Sequence, residues 1–399
     1  MIAHEFFLEA FNMEFDIVII GGGLVGASLA AALKDSGLKL ALVESGSPPQ
    51  VQATEDNWDS RIYAFTPGNA EFLRECGAWQ RLDMSRVQQV EAMRVFGDTG
   101  SRLDFSAYQL GTPELAFIME SRLLQDALWQ ILREQANLTL LHPAQCTELS
   151  WLEDAAHLTL KGGREIEAKL IVGADGRDSW VRHQAGMPEK PTPYNQHGVV
   201  ANFACAKNHR GIAHQWFQAD GILALLPLPG RRASSVWSVS PEKSTELLAL
   251  THAELCARVA EASNHVLGEL ELITPPAAFP LRVMNLAHST RPRLVLVGDA
   301  AHNVHPLAGQ GVNLGLRDAR ELAHTLMLRG ALDCGDPGLL RRYEKARRAD
   351  ILSMQLTTDA LKHLFVNANP LLRTLRNVGL AAANAATPLK KMLARHALH

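Results

Sequence analysis

The sequence predicts an α/β protein: a nucleotide-binding domain split along the chain, a mixed-β domain inserted into it, and a helical C-terminal segment. Three observations carry that prediction. Near the N-terminus an apolar strand runs into a glycine-rich turn, a helix and a second strand; two later apolar strands, near residues 172 and 296, end in acid- and glycine-bearing turns; and the pattern beyond residue 340 is helical.

The first element is Phe15-Asp16-Ile17-Val18-Ile19-Ile20, short and β-branched, followed directly by Gly21-Gly22-Gly23-Leu24-Val25-Gly26. Small, helix-compatible residues continue to Leu33, Gly37 stops the helix, and Leu38 to Val43 read as a strand ending at Glu44. This is the Rossmann-like order of strand, GxGxxG, helix, strand and acid. Gly21 permits the tight bend, Gly23 lets a pyrophosphate approach the backbone, and Gly26 lets helix and strand pack closely. The phosphates then face the positive end of a helix. Glu44 stands where a carboxylate accepts hydrogen bonds from an adenosine ribose and repels a phosphorylated one, so this unit reads as a site for FAD or NAD. A glycine-rich turn that binds nothing is the bland reading, and the complete strand-helix-acid context argues against it.

The second segment, Leu170 to Arg182, is a strand running into Gly173-Ala174-Asp175-Gly176 and then Ser179 and Arg182. Asp175 belongs to this turn; its bland reading is a cap for the helix after Ser179. The third segment, Leu294 to Ala319, passes from a strand through Gly298-Asp299-Ala300-Ala301-His302 to Pro306, Gly309-Gln310-Gly311-Val312-Asn313 and Asp318. Asp299 closes the strand, where it can hold a polyol hydroxyl such as a flavin's ribityl chain. The Gly309 to Asn313 loop opens a helix whose N–H groups favour the negative charge of a reduced flavin. These two segments decide for FAD.

With these three motifs in order, the sequence resembles the class A flavoprotein monooxygenases over roughly residues 14 to 345. Within them it looks most like the ubiquinone-biosynthesis hydroxylases, through Asp59-Ser60-Arg61-Ile62-Tyr63-Ala64-Phe65-Thr66, Ala116 to Gln125 and Gly221 to Leu228. The resemblance implies that Gly21, Gly23, Gly26 and Glu44 hold the ADP half of FAD and that Asp299 takes the ribityl and pyrophosphate region. Arg61, Arg122, Gln125 and Asp175 would also touch cofactor; the bland reading of Arg61 is a surface arginine. Pro306, Gly309, Gln310, Gly311, Val312 and Asn313 would line the isoalloxazine ring, with Pro306, Gly311, Val312 and Asn313 at the reacting face. The implied reaction is hydroxylation of a polyprenylated phenol by O2 through a C4a-hydroperoxyflavin, with NAD(P)H or a separate electron donor as reductant. Three rivals stand beside it: a flavin hydroxylase of a small soluble aromatic acid, an FAD enzyme that inserts no oxygen, and a non-catalytic FAD-binding subunit of a biosynthetic complex.

The expected domain division is 13–89, 115–190 and 281–340 for FAD, 90–114 and 191–280 for substrate, and 341–399 for the helical segment. Between Tyr194 and Phe279, strand-like stretches fall at Gly198 to Phe203, His214 to Phe217, Ile222 to Leu226 and Ser234 to Val239, with a helix at Ala253 to Ala262. Val90 to Phe105 is expected to add strands. Trp216, Phe217 and Trp237 read at least as well as half-buried strand residues as pocket walls. Beyond residue 340, helices are expected at Tyr343 to Leu364 and Leu371 to Leu398.

The remaining composition excludes several classes. At 399 residues, 47% hydrophobic and 20% charged, the chain buries a full core and is not a disordered protein. Five scattered cysteines with no CxxC suggest neither a disulfide framework nor zinc, which fits a reducing cytosol. His302 and His305 lack the further ligands a metal needs, so no metal is expected. No apolar run approaches the length of a membrane span, and residues 1–12 lack the basic start of a leader and read as an extension. Residues 341–399 hold eleven Lys or Arg against three Asp or Glu, a local +8 (11 − 3) in a chain of net charge −3. Such an end suits an anionic membrane surface or a partner of the same biosynthetic pathway, against the bland reading of a solvated helix face. It lacks the interleaved aromatics of a nucleic-acid site.

Overall fold

The computed structural model describes residues 13–48, 57–97, 101–187, 192–218, 220–303 and 310–366. Two large sheets and one small one organise them. The first sheet has five parallel strands in the order Leu294–Leu296, Glu165–Gly173, Met13–Ile20, Leu40–Val43, Leu138–Leu141. A short strand, Thr290–Arg291, closes one edge, and the antiparallel hairpin Cys146–Trp151 and Ala156–Leu160 joins Glu165–Gly173.

These strands are apolar along their whole length because both faces are covered. Ile17 and Ile19 point into one core with Leu29, Leu42, Trp129, Leu316 and Tyr343, while Val18 and Ile20 point into the other with Ile171, Val181 and Leu296. Parallel pairing puts all strand ends with the same direction at one edge. The register sets Ile20 opposite Gly173 and Val43, and Gly173 opposite Leu296. Three motifs scattered over nearly 300 residues therefore leave the sheet side by side, as an open parallel sheet requires of its ligand edge.

The second sheet runs His302–Asn303, Ala277–Asn285, Thr192–Cys205, Arg232–Val239, Gly221–Leu228, Ile212–Gln218, Ala92–Phe96, Arg102–Ser106, with Leu270–Leu272 also on Thr192–Cys205. Every strand-like stretch read between Tyr194 and Phe279 falls in one of its strands, and Val90 to Phe105 supplies two, the first of them parallel to Ile212–Gln218. Val199, Trp216, Leu223 and Trp237 bury one face under the helices Pro241–Ala249 and His252–Ala262. The latter starts at a capping box of Thr251 and Glu254. Trp216 and Trp237 are thus core residues. A small sheet of Ile62–Phe65, Ala116–Glu120 and Gln88–Val90 lies between the large ones, packing Ile62 and Ile118 against Ala213 and Leu228.

Helix Gln310–Met327 packs on the turn helix Leu24–Ala32, and Pro337–Val366 packs on Gln310–Met327. The C-terminal helix starts six residues before Tyr343, because Asp336 takes the backbone N–H of Leu339 at 2.8 Å and Pro337 suits the first helical position. The expected helix from Leu371 to Leu398 lies outside the described residues.

Candidate functional site

The glycine turn is built around backbone contact. Gly21 adopts φ +109°, and a Cβ there would lie 2.4 Å from the carbonyl oxygen of Ala174; a Cβ on Gly26 would lie 2.0 Å from that of Gly21. Gly23 differs, since a Cβ there meets nothing within 4 Å. The helix that Gly23 opens has no side-chain cap and no acid in its first turn. Its first N–H groups are thus left without a side-chain partner from the helix itself, which fits a pyrophosphate.

Glu44 fixes the neighbouring turn. One carboxylate oxygen accepts from the N–H of Gly22 at 2.7 Å and the other from that of Gly46 at 2.8 Å. On the other side of the turn, Trp129 Nε1 and Gln125 Nε2 donate to the Gly22 carbonyl at 2.9 and 3.3 Å. Gln125, expected at the cofactor, thus holds the loop by its side chain. The resulting open cleft, about 550 Å³, is lined by Gly21, Gly23, Glu44, Cys146, Asp175 and Trp180 among others.

Asp175 stands at this cleft with its carboxylate engaged by Ser179 Oγ at 2.6 Å and the Val181 N–H at 3.0 Å, while Ser179 Oγ caps Arg182 N at 3.0 Å. The capping reading therefore describes its contacts. Arg182, 1% exposed, donates to the carbonyls of Ala300 and Arg177 at 2.9 and 2.8 Å and so ties the second motif to the third. Asp299 is exposed to solvent, with the buried Gly298 and Ala300 on either side of it in the chain. Desolvation by the surrounding protein raises its carboxyl pKa, with His302 and Arg177 pulling the other way.

Beneath Asp299 lies a buried charge relay that the sequence reading did not find. Asp318 is wholly buried; one oxygen takes His302 Nε2 at 2.6 Å and the Gly298 N–H at 2.9 Å, and the other takes Arg347 Nε at 2.7 Å. Arg347 continues to Asp350 at 2.6 Å, and Asp350 pairs with Arg317 at 3.2 Å. Burial alone would raise the Asp318 pKa, but His302 and Arg347 outweigh it and bring it down to about 2. His302 is thus committed to a carboxylate, and no group of three or more His, Cys, Asp or Glu suited to a metal occurs among the described residues.

Pro306 and Gly309, like His305, lie outside the described residues. Gln310, Gly311, Val312 and Asn313 form the first turn of helix Gln310–Met327, and a Cβ on Gly311 would meet open space. Asn313 does not present its side chain to that space. Its Nδ2 donates to the Ala64 carbonyl at 2.7 Å, and its Oδ1 accepts from Thr66 N and Asn69 Nδ2 at 3.0 and 2.8 Å. The side chain expected at the reacting face instead clamps the end of Ile62–Phe65 to the helix, because a buried amide must satisfy all its polar groups.

Arg122 is similarly engaged: its guanidinium donates to both Asn57 oxygens and to Glu120 Oε1, the last at 3.0 Å. Glu120, fully buried, also takes Arg86 at 2.5 Å and the Asp59 N–H at 2.6 Å. These bonds brace the segment that carries Arg61. Arg61 itself is exposed, and its side chain makes no hydrogen bond among the described residues. Tyr63 stands near it; burial raises its pKa, as does Asp299, while Arg61 and Arg177 oppose.

The second sheet turns its other face to this segment. Asn202 Nδ2 donates to the Asp59 carbonyl at 2.8 Å, and Met93, Phe105 and Leu226 pack against the same apolar cluster as Ala64. On the helix-covered face, His214 is stacked with Trp216 and Phe96, ring centroids 5.6 and 6.4 Å away. Burial brings its pKa down to about 4.

The model of the family described as FAD binding domain matches residues 14–357. The chain is similar to the 3-demethoxyubiquinol 3-hydroxylase of Escherichia coli, 36% identical over 97% of this chain and 99% of that one. It is also similar to the ubiquinone hydroxylase UbiL of Rhodospirillum rubrum, 35% identical over 96% and 89%. Among solved structures, a probable FAD-dependent monooxygenase from Pseudomonas aeruginosa, pqsL, superposes with a TM-score of 0.77 at 25% identity, covering 92% of this chain and 99% of that one.

Proposed function

From the premise that this chain belongs to the FAD binding domain family, we propose that it hydroxylates the ring of a polyprenylated phenol in ubiquinone biosynthesis, using FAD and O2. It is an FAD-dependent monooxygenase of the aromatic-hydroxylase type. The single observation that carries the site is the register that brings Gly21, Gly173 and Leu296 to one sheet edge, beside an uncapped helix start and an open Gly23.

FAD, when bound and reduced, supplies the oxygen chemistry. The chain's own residues do the rest. Gly21, Gly23 and Gly26 shape the pyrophosphate cradle, and Glu44 orients the turn and takes the ribose. Asp299 and Asp175 would take the ribityl side, with Arg122 and Gln125 holding the segments around them and the exposed Arg61 side chain left to meet the cofactor. Pro306, Gly309, Gln310, Gly311, Val312 and Asn313 would hold the isoalloxazine end of FAD; of these, Asn313 acts by clamping the start of helix Gln310–Met327 to Ala64 and Thr66. The dipole of helix Gln310–Met327 favours negative charge at that end. The substrate ring lies between this end and the second sheet's face, where apolar side chains such as Phe217 and Leu226 exclude water. The reductant is NAD(P)H or a separate donor protein.

In this reading 13–89, 115–190 and 281–340 would hold FAD, although the second sheet reaches into that last stretch through Ala277–Asn285 and His302–Asn303; 90–114 and 191–280 would cover the substrate, and 341–399 would be the C-terminal segment that helix Pro337–Val366 leads into. The last of these lays the enzyme on the inner membrane surface or on other proteins of the pathway. Supporting this, Arg341, Arg342, Lys345 and Arg348 are exposed on helix Pro337–Val366, followed by Leu352 and Leu356, 48% and 61% exposed. That order of basic and apolar residues suits an anionic interface. No helix among the described residues is long and apolar enough to cross a membrane.

The test is to reduce the FAD-loaded protein without air, mix it with oxygenated buffer and a short-chain prenylphenol, and weigh the product. A product heavier by one oxygen is expected. Peroxide release without an oxygenated product, together with activity on carboxylated phenols, would replace the substrate; absence of turnover with every phenol would make the chain an accessory subunit.

A further inference from the structure

A second cleft, about 580 Å³, opens where the turn helix ends, between Pro67–Glu75 and the C-terminal half of Gln310–Met327. It shares no lining residue with the cleft at the glycine turn. Phe72, Cys76 and Met327 give it apolar walls; Lys34, Arg317 and Arg320 give it charge. Nothing in the hydroxylation reaction uses it.

Arg317 is the unexplained group there. One of its terminal nitrogens pairs with Asp350 at 3.2 Å, but Asp350 is shared with Arg347, which approaches more closely at 2.6 Å. Among the described residues the Arg317 Nε and Nη2 have no hydrogen-bond partner, although both are shielded from water. Burial lowers this guanidinium's pKa, Asp350 opposes, and the charge of Arg347 adds to the lowering. A shielded cation with two unsatisfied donors and half a carboxylate is costly unless something completes it.

The mouth of the cleft supplies more of the same charge. Lys34 is exposed and has no ion pair among the described residues, and Arg320 pairs with Glu75 at the rim at 3.3 Å. Both bear on the Cys76 thiol in the wall: burial pushes that thiol up to about 12, and Lys34 and Arg320 are the cations that pull it back. Glu321 also lines the cleft, within reach of Thr325 at 3.5 Å, so the rim has acids as well as bases; of these, Glu75 is already taken by Arg320. Lys34, Arg317, Arg320 and Arg347 line the cleft against Glu75 and Glu321, so its lining carries more positive than negative charge, and a planar guanidinium edge is the protein group that best matches a tetrahedral oxyanion.

We propose that this cleft binds a phosphate-class oxyanion, seated on the free edge of Arg317 with Lys34 and Arg320 at its mouth and with Phe72 and Met327 beside any apolar part of the ligand. The same chemistry comes from a soluble phosphate or from a phospholipid headgroup. Binding completes the Arg317 donors with a small rotation of a long side chain and leaves the Asp318 relay in place.

The test uses the FAD-loaded full chain, its Lys34→Gln variant and its Arg317→Gln variant. Inorganic phosphate is titrated by calorimetry against chloride at matched ionic strength, and phosphatidylcholine vesicles with and without phosphatidylglycerol are tested by co-sedimentation. Saturable phosphate binding, weakened about tenfold by Lys34→Gln and at least as much by Arg317→Gln, is expected, the scale of one lost charge-assisted contact. If phosphate fails but phosphatidylglycerol retains the protein with the same loss in Lys34→Gln, the headgroup is the source. The proposal is overturned if neither ligand exceeds its control, or if both bind wild type and Lys34→Gln equally; in the latter case the lipid is held by the C-terminal helix alone. Lys34 is exposed and has no ion pair among the described residues, so that variant folds even if Arg317→Gln does not.

Discussion

Gly23 and Gly26 belong to one short motif, yet a methyl group is expected to act on them in different ways. At Gly26 the added carbon collides with the Gly21 carbonyl, so Gly26→Ala disturbs the turn itself and lowers the melting temperature of the apoprotein. At Gly23 it enters open space, so Gly23→Ala leaves apoprotein melting unchanged and weakens FAD retention, read as the ratio of flavin to protein absorbance. Asp318 offers a second test at this scale. Its folded pKa, about 2, lies below the ordinary value of 3.8, so its stabilisation is complete above that ordinary value and is lost as pH falls toward 2. The shift corresponds to about 2 to 3 kcal/mol. Asp318→Asn, which leaves Arg347 and its neighbours uncompensated, is expected to cost about 3 to 5 kcal/mol at neutral pH by denaturant unfolding. The glycine motif was legible in the sequence because it constrains the backbone within a few residues. The partnership of Asp318 with Arg347 was not, since it depends on how two helices cross. Asp175 shows the intermediate case: its position at the cleft and its capping role were both readable, but their coexistence required the Ser179 and Val181 contacts.

At the level of elements, strand Ile212–Gln218 and helix Gln310–Met327 give the clearest expectations. His214 sits neutral in the stack with Phe96 and Trp216, its pKa brought from 6.5 to about 4. A depressed folded pKa means that the unfolded chain takes up the proton first. Stability is therefore full above pH 6.5 and is lost as pH falls from there toward 4, a window above that of Asp318. His214→Phe keeps a ring in the stack and is expected to flatten the pH dependence of the urea midpoint between pH 6.5 and 4. In the helix, Asn313→Ala removes bonds to Ala64, Thr66 and Asn69 and is expected to cost about 3 kcal/mol, with slower flavin reoxidation chemistry only as a secondary effect of a loosened helix start. The strands were readable because burial on two faces or one writes itself as continuous or alternating apolar residues. The edge hairpin Cys146–Trp151 and Ala156–Leu160 was not read; its mixture of exposed and buried positions, with Leu152 56% exposed at its turn, gives a weak pattern.

Over the whole molecule, the sheet order explains why motifs so distant in sequence read as one site, and the family match, over residues 14–357, spans all three of them. The C-terminal helix adds an outward-facing expectation: Leu352→Gln with Leu356→Gln is expected to reduce sedimentation with anionic vesicles several-fold without changing FAD content, since both side chains are exposed. The parallel pairing of Glu165–Gly173 with Leu294–Leu296 has a further consequence, in the order of assembly. Ile171 must wait for Leu294, and Gly298 for Asp318 and then Arg347, before the edge is complete. A ribosome has therefore made most of the chain while the glycine turn is still missing its neighbours, and contacts this far apart form slowly. A ligand that binds only the finished edge then acts as a late thermodynamic lock on the whole protein. Cells short of riboflavin are expected to accumulate not an intact empty enzyme but a chain open to proteolysis, with cofactor supply setting how much protein survives.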